Sequence, residues 1–83
     1  MKKVKLFALS TCGWCKKTRR FLDDHNVDYE YEYVDLLTGA EKEKCVEELL
    51  HWNPRRSFPT VVIDENVVVV GFKEDRLWEA LGL

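Results

Sequence analysis

The spacing of apolar residues in the first half of the chain predicts a strand, a helix and a second strand. Val4–Leu9 is a nearly continuous apolar run, which is typical of a strand buried on both faces. Gly13–His25 repeats apolar residues every three or four positions, which predicts an amphipathic helix. Tyr29–Asp35 alternates tyrosine with glutamate, and this period of two predicts a strand with its tyrosines on one face. Such a β-α-β unit pairs its two strands in parallel.

The second half predicts a helix, a hairpin and a final helix. Ala40–Trp52 has helical spacing, and Thr60–Ile63 and Val67–Val70 are β-branched strands joined by the polar turn Asp64-Glu65-Asn66. Lys73–Leu81 is the last predicted helix, so the order is β-α-β-α-β-β-α. The helical residues predicted to face the core share a stripe within each helix: Cys15, Thr18, Phe21, Leu22, Cys45, Leu49, Trp52, Leu77, Trp78 and Leu81.

Length and charge narrow the classes of protein to consider. The chain has 83 residues, so we expect one domain spanning 1–83. Its net charge of −2 does not favour nucleic acid, which normally requires a basic surface. No apolar run approaches the ~18 residues of a membrane span, and Lys5 interrupts the N-terminal apolar stretch that a secretory signal would need. We therefore predict a cytoplasmic protein that binds neither nucleic acid nor membrane.

Three cysteines, Cys12, Cys15 and Cys45, are the candidates for chemistry. An odd number argues against a secreted disulfide framework, and in a reducing compartment a close pair is more often catalytic or metal-binding. A zinc site needs four ligands in recognisable spacing, yet a second C-x-x-C is missing and His25, His51 and Cys45 are isolated. We therefore expect no metal ligands, and favour redox chemistry over a zinc site or a structural pair.

Cys12 and Cys15 stand after the first predicted strand, at the first turn of the first predicted helix. A helix N-terminus presents unpaired N–H groups and about half a positive charge, which favour a thiolate over a thiol. Cys12 is the more N-terminal, so we assign it as the attacking nucleophile and Cys15 as the resolving thiol. Lys16 follows Cys12 by four residues, which puts its ammonium within reach of the thiolate. This placement predicts thiol–disulfide exchange through a mixed disulfide.

Phe58-Pro59-Thr60 comes directly before the third predicted strand. Proline cannot donate a ladder hydrogen bond, so the start of a strand suits it. A cis proline there would expose the backbone of the preceding residue to a bound peptide. The residues alone leave the trans isomer open, because only about 5% of X–Pro bonds are cis.

With these motifs the chain resembles the glutaredoxins of the thioredoxin-fold superfamily over essentially its whole length. The resemblance rests on Thr11-Cys12-Gly13-Trp14-Cys15, on Phe58-Pro59-Thr60, and on Gly71 with Asp75 after the hairpin. It implies an α/β fold of the thioredoxin type, with a four-stranded mixed sheet and three helices. It also implies a thiol–disulfide oxidoreductase.

The resemblance further implies roles for individual residues. In the family the first cysteine is the nucleophile, the proline is cis, and the residue before it pairs through its backbone with the cysteinyl part of glutathione. These roles fall on Cys12, Pro59 and Phe58. The γ-glutamyl end of glutathione would lie at Gly71 and Asp75.

Several positions depart from the usual glutaredoxin pattern. Leu9 stands where many members have a glutathione-binding lysine, Gly71-Phe72 where a Gly-Gly pair is common, and Ser57-Phe58-Pro59 where Thr-Val-Pro is usual. Arg55 and Arg56 offer another contact for a carboxylate. Gly71-Phe72 is more similar to the redoxins that reduce ribonucleotide reductase, some of which take electrons from a thioredoxin reductase.

We therefore expect a monomer that reduces protein or glutathione-mixed disulfides without a tightly bound cofactor. Its alternative electron donors are glutathione as co-substrate, a flavoprotein reductase and a ferredoxin-linked reductase. One alternative is a glutathione-independent electron donor to a reductase such as ribonucleotide reductase. A different alternative is a [2Fe–2S] cluster held between two subunits with glutathione as co-ligand. Gly13 favours this alternative because a glycine leaves room for a metal near Cys12.

The remaining residues receive simpler interpretations. Trp14 is predicted to be exposed and to contact a partner or glutathione. Cys45 lies on a buried stripe, where a free cysteine behaves as a small hydrophobe. The basic residues of the first helix are interpreted as a solvated face: Lys16, Lys17, Arg19 and Arg20.

Overall fold

A computed structural model describes residues 3–83, and its elements follow the predicted order. The strands are β1 (Val4–Ala8), β2 (Glu30–Tyr33), β3 (Thr60–Ile63) and β4 (Val67–Val70). The helices are α1 (Gly13–Asp24), α2 (Gly39–Trp52) and α3 (Glu74–Leu81). A 3-10 turn at Val34–Leu36 leads from β2 toward α2.

The strands form one mixed sheet in the order β2-β1-β3-β4. β1 and β2 pair in parallel, with Leu6 opposite Tyr31, as the β-α-β unit predicts. β1 pairs with β3 and β3 with β4 in antiparallel fashion, so the predicted hairpin is confirmed. Four strands in a mixed sheet with three helices make the thioredoxin-like fold that the resemblance implies.

The sheet separates two apolar cores. Val4, Leu6 and Ala8 of β1 pack with α1 and α3 on one face, whereas Phe7 packs with α2 on the other. This division follows from the alternation of side chains along a strand. The predicted buried face of α1 is confirmed, because all of its members are buried. The N-terminus of α1 is thus held at the end of a central strand.

β2 ends earlier than predicted, at Tyr33. The interpretation of Val34 and Asp35 as strand residues is wrong, because both belong to the 3-10 turn. Val34 enters the α2 core at 5% exposure. Asp35 turns toward β1, where its carboxylate accepts the backbone N–H and the hydroxyl of Ser10.

Arg19 does not lie on a solvated face as predicted. Its guanidinium stacks on Tyr31 at 3.9 Å and donates to the hydroxyls of Tyr33 at 2.6 Å and Tyr29 at 3.3 Å. The hydrogen bond to Tyr29 is the main reason that the pKa of Arg19 lies above its ordinary value. These contacts confirm that the tyrosines share one face, and they join α1 to the edge strand.

Trp78 is 49% exposed, so the prediction that it packs in the core is wrong. α3 has only eight residues, and Leu77 is its buried residue. The next position is rotated by about 100° around the helix, which turns Trp78 away from the sheet. Its ring instead meets the edge of the His25 ring at 5.3 Å.

The helices are short. α1 has 12 residues, α2 has 14 and α3 has 8. A membrane-spanning helix needs about 20 mainly apolar residues. Between residues 3 and 83, none of the helices combines the length and apolar character needed to cross a bilayer.

Candidate active site

Cys12 is the N-cap residue of α1 and is half-buried. Its sulfur accepts the backbone N–H of Cys15 at 3.3 Å, and its carbonyl accepts the N–H of Lys16 at 3.2 Å. Its own N–H donates to the Leu9 carbonyl at 3.2 Å, which closes the turn after β1. A sulfur in this place receives an N–H and the positive end of the helix dipole, and both stabilise negative charge on it.

Cys15 lies one turn further along α1 and is fully buried, with 0% exposure. Burial raises the pKa of the Cys15 thiol to about 12, and a hydrogen bond with the Cys12 sulfur contributes to the rise. The charge of Asp35 adds a smaller contribution in the same direction. The two sulfurs therefore differ: one is accessible and receives an N–H, and the other is a buried thiol.

The loop before Cys12 is hydrogen-bonded to the 3-10 turn after β2. Asp35 accepts the backbone N–H of Ser10 at 2.9 Å as well as its hydroxyl. The hydrogen bond from the Ser10 hydroxyl is the main cause that lowers the pKa of the Asp35 carboxyl. The sequence does not reveal this contact, because 25 positions separate the two residues and no local pattern links them.

The Phe58–Pro59 peptide bond is cis, as the resemblance implies. Pro59 is buried, and the half-buried Phe58 packs against both apolar cores. The N–H of Gly71 donates to the Pro59 carbonyl at 2.8 Å. The structure thereby brings together the segments before β3 and after β4, which were predicted to bind the same ligand.

Asn53, which ends α2, holds the loop that leads to Phe58. Its amide nitrogen lies 3.0 Å from the hydroxyls of Ser57 and Thr60 and 3.2 Å from the Ser57 carbonyl. Its oxygen accepts the N–H of Arg55 at 3.2 Å. The sequence analysis did not identify this role, because Asn53 directly follows the predicted helix Ala40–Trp52 and no periodic pattern includes it. An asparagine directly before a proline and near a Ser/Thr pair is the available signal.

The residues after β4 that are predicted to bind substrate lie in the connection to α3 and in its first turn. Gly71 has φ +84°, a left-handed conformation that favours glycine. Phe72 is half-buried, with its ring 6.3 Å from that of Trp14 and 6.2 Å from that of Phe21. Asp75 is exposed in the first turn of α3. The structure therefore joins Phe72 to the cysteine motif through Trp14.

Trp14 is 58% exposed, which confirms the predicted exposure. The ammonium of Lys17 lies 4.5 Å from the centre of its ring, a cation–π distance. Lys16 is exposed one helical turn beyond Cys12. The first two turns of α1 thus carry positive charge, part of it over the Trp14 ring.

Cys45 lies across the sheet from the cysteine motif. It is 6% exposed in the α2 core, so its predicted burial is confirmed. Burial raises the pKa of Cys45 to about 11, and Glu32 contributes to the rise. Because Cys15 belongs to the opposite core, Cys45 is separate from the motif.

Gly13 lies in open space, since an added Cβ would meet no heavy atom within 4 Å. Within the described part of the chain, no three His, Cys, Asp or Glu side chains are grouped closely enough to hold a metal ion. The cluster alternative, which needs a second subunit, stays a prediction.

A sequence model of the glutaredoxin family matches residues 4–68, a range that contains both motif cysteines and the cis proline. This chain belongs to the glutaredoxin family. Glutaredoxins are thiol–disulfide oxidoreductases, so this glutaredoxin is an enzyme of that class. Such exchange requires an accessible attacking sulfur, and Cys12 is accessible.

Two solved structures and one sequence relative agree with the assignment. Methanoredoxin of Methanosarcina acetivorans is 46% identical with a TM-score of 0.93, covering 98% of this glutaredoxin and 85% of that chain. A glutaredoxin of Methanosarcina mazei Go1 is 51% identical with a TM-score of 0.91, covering 98% and 79%. A glutaredoxin-like protein from the rubredoxin operon of Clostridium pasteurianum is 34% identical over 71 residues, covering 86% and 87%.

Proposed function

We propose that this glutaredoxin reduces disulfide bonds of substrate proteins, with Cys12 as nucleophile and Cys15 as resolving thiol. The asymmetry of the two sulfurs carries the proposal. Cys12 is accessible and its sulfur accepts an N–H at 3.3 Å. Cys15 is buried, and its pKa is raised to about 12. One sulfur is thus suited to attack from the surface, and the other to keep its proton until it is needed.

The reaction proceeds in two exchanges. The Cys12 thiolate attacks one sulfur of the substrate disulfide, whose S–S bond breaks and releases one substrate thiolate. Cys15 then attacks the Cys12 sulfur, and its proton passes to a leaving thiolate of the substrate. The second substrate thiolate takes its proton from water, so the products are a reduced substrate with two thiols and an enzyme with a Cys12–Cys15 disulfide. Two electrons have moved to the substrate, and a thiol reductant must return them.

The surface around Cys12 supplies the substrate contacts. We assign the backbone of Phe58, before the cis Pro59, to pairing with the residues that flank the attacked sulfur. Support comes from the Gly71–Pro59 hydrogen bond of 2.8 Å, which places these segments side by side. Trp14 offers an exposed ring on the same side.

Charge completes this proposed binding surface. Lys16 is assigned to attract acidic groups toward the sulfur of Cys12, since it is exposed one turn away. Gly71, Phe72 and Asp75 would receive the far end of a small thiol such as glutathione, with the Asp75 carboxylate accepting its amino group. This assignment follows the family resemblance, and exposure of Asp75 supports it.

Glutathione is the first candidate donor, and a thioredoxin reductase is the second. Two observations favour the second. Leu9 is a half-buried apolar residue where many glutaredoxins have a glutathione-binding lysine. Phe72 packs near Trp14 where a second glycine is common. A ferredoxin-linked reductase is the third candidate, and the cytoplasmic location and monomeric state stay predictions.

Two NADPH-coupled assays with a protein disulfide as substrate test the proposal and separate the donors. One contains glutathione with glutathione reductase, and the other contains thioredoxin reductase. Cys12→Ser should reduce turnover to background with either donor, because no nucleophile is left. Cys45→Ala, across the sheet, should keep the turnover of the unmodified enzyme.

The turnover of each variant can contradict the proposal. Sustained turnover by Cys12→Ser would exclude Cys12 as the nucleophile. Loss of turnover in Cys45→Ala, with an unchanged circular dichroism spectrum, would mean that the exchange pair is misassigned. Inactivity with both donors would leave the ferredoxin-linked donor to be assayed in the same way.

A further inference from the structure

Five rings form a continuous row from the cysteine motif along the contact between α1 and α3. The ring of Trp14 lies 6.3 Å from Phe72, and that of Phe72 lies 6.2 Å from Phe21. Phe21 lies 4.3 Å from His25, whose ring is 5.3 Å from Trp78. The two ends of the row are open to solvent, with Trp14 58% and Trp78 49% exposed. We call the space above this row the α1–α3 groove.

The α1–α3 groove has the size of a binding site. Between Phe72 and Trp78 it deepens into a cavity of about 570 Å³ that does not extend to Trp14, within the roughly 300–1,000 Å³ of typical ligand pockets. The cavity is lined by aromatic rings, among them the half-exposed Trp78, and aromatic residues are enriched among those that contribute most to binding at interfaces. The aromatic floor therefore provides a place for an apolar side chain of a partner.

The groove is also too long for a tripeptide thiol bound at Cys12. Eleven positions of α1, from Trp14 to His25, advance about 16 Å at 1.5 Å per residue. An extended tripeptide spans only about 10 Å at roughly 3.3 Å per residue. Filling the groove from the sulfur to Trp78 takes about five residues of extended chain beyond the disulfide.

The two walls of the groove carry opposite charges. Lys17 and Arg20 line it on α1, and Glu74 and Asp75 line it on α3. Asp24 lies at the far end of the α1 wall. A complementary partner presents a carboxylate to the α1 wall and a cation to the α3 wall. Such complementarity mainly speeds association and selects partners.

We propose that the α1–α3 groove docks a segment of the substrate protein, about five residues from its disulfide, bearing an aromatic side chain between an acidic and a basic one. The proposal rests on the proposed function, since the segment is chemically connected to the disulfide that Cys12 attacks. Docking at Trp78 holds the substrate while exchange occurs at the other end of the groove. Protein disulfides that lack this segment are poorer substrates.

Two substrates separate docking from chemistry. One is a synthetic peptide with an intramolecular disulfide followed, about five residues later, by tryptophan between glutamate and lysine. The other is bis(2-hydroxyethyl) disulfide, which is too small to enter the groove and reach Cys12 at once. The steady-state kcat/KM is measured for each substrate with dithiothreitol as the reductant.

Trp78→Ala should lower kcat/KM for the peptide about tenfold, the loss typical of one aromatic anchor, and leave the small disulfide unchanged. Arg20→Glu should lower kcat/KM for the peptide severalfold. A second peptide, in which lysine replaces the glutamate beside the tryptophan, should restore kcat/KM in the Arg20→Glu variant. Leu50→Ala and Lys44→Glu are matched controls, because they alter an exposed apolar and a basic residue of α2 on the other face of the sheet. Neither control variant should change kcat/KM for the peptide or for the small disulfide.

The two substrates distinguish a failure of the docking proposal from a failure of the proposed function. Equal rates for the peptide in Trp78→Ala, Arg20→Glu and the unmodified enzyme overturn the docking proposal and leave the proposed function intact. An equal fall for both substrates also overturns it, because the variants then act on the chemistry or the fold. Inactivity of the unmodified enzyme on both the peptide and the small disulfide contradicts the proposed function itself. A concentration-dependent dimer that Trp78→Ala dissociates in sedimentation would assign the groove to a second copy and overturn the proposal.

Discussion

Cys12 and Cys15 belong to one motif but lie in different surroundings. Their order and their place at a helix N-terminus follow from sequence, because both depend on neighbouring residues only. The burial of Cys15 and the hydrogen bond between the sulfurs depend on the core beneath α1. At this scale the sequence predicts which residues react, and the fold gives the two sulfurs the different surroundings on which their proposed roles depend.

Selective alkylation should reveal this difference. With iodoacetamide at about pH 8, the native reduced protein should be modified at Cys12, because thiolates are the reactive form and Cys12 is accessible. Burial raises the pKa of Cys15 to about 12 and of Cys45 to about 11, so both stay thiols at this pH. Peptide mass spectrometry locates the label, and labelling in urea is the control in which all three should react. Faster native labelling of Cys15 than of Cys12 would contradict the asymmetry.

The loop between α2 and β3 is held by contacts between residues that no local sequence pattern connects. The β-branched residues of Thr60–Ile63 predict a strand. The position of Pro59 directly before that strand predicts that it belongs to the site. Asn53 could not be assigned to the site, because its partners Ser57 and Thr60 become neighbours only once the loop folds back. The loop that contains Phe58 is therefore held by the buried side chain of Asn53.

Asn53→Ala should lower the free energy of unfolding by about 1–3 kcal/mol, since it leaves buried hydrogen-bonding groups without a partner. Urea denaturation followed by circular dichroism measures the change. Asn66→Ala makes the same chemical change in the exposed turn between β3 and β4, and should stay within about 0.5 kcal/mol. Equal stabilities of the two variants would mean that the Asn53 network does not support the loop.

For the whole molecule, the spacing of apolar residues was enough to predict the order of strands and helices, and the family resemblance implied the mixed sheet. The spacing also placed Cys45 on a buried stripe, and the sheet now separates it from the motif. The α1–α3 groove could not be predicted, because Phe21 and Phe72 are far apart in sequence and meet only through tertiary packing. The same packing left Trp78 outside the core. The site at Cys12 is thus the end of a longer surface.

Capture of a reaction intermediate tests the central claim most directly. Cys15→Ser is incubated with a disulfide substrate, and its intact mass and the modified residue are read by mass spectrometry. The account predicts a mixed disulfide on Cys12 that persists because the resolving thiol is absent, and no adduct on the Cys12→Ser variant. A stable adduct on Cys15 of Cys12→Ser, with none on Cys12 of Cys15→Ser, would contradict the assignment of nucleophile and resolving thiol.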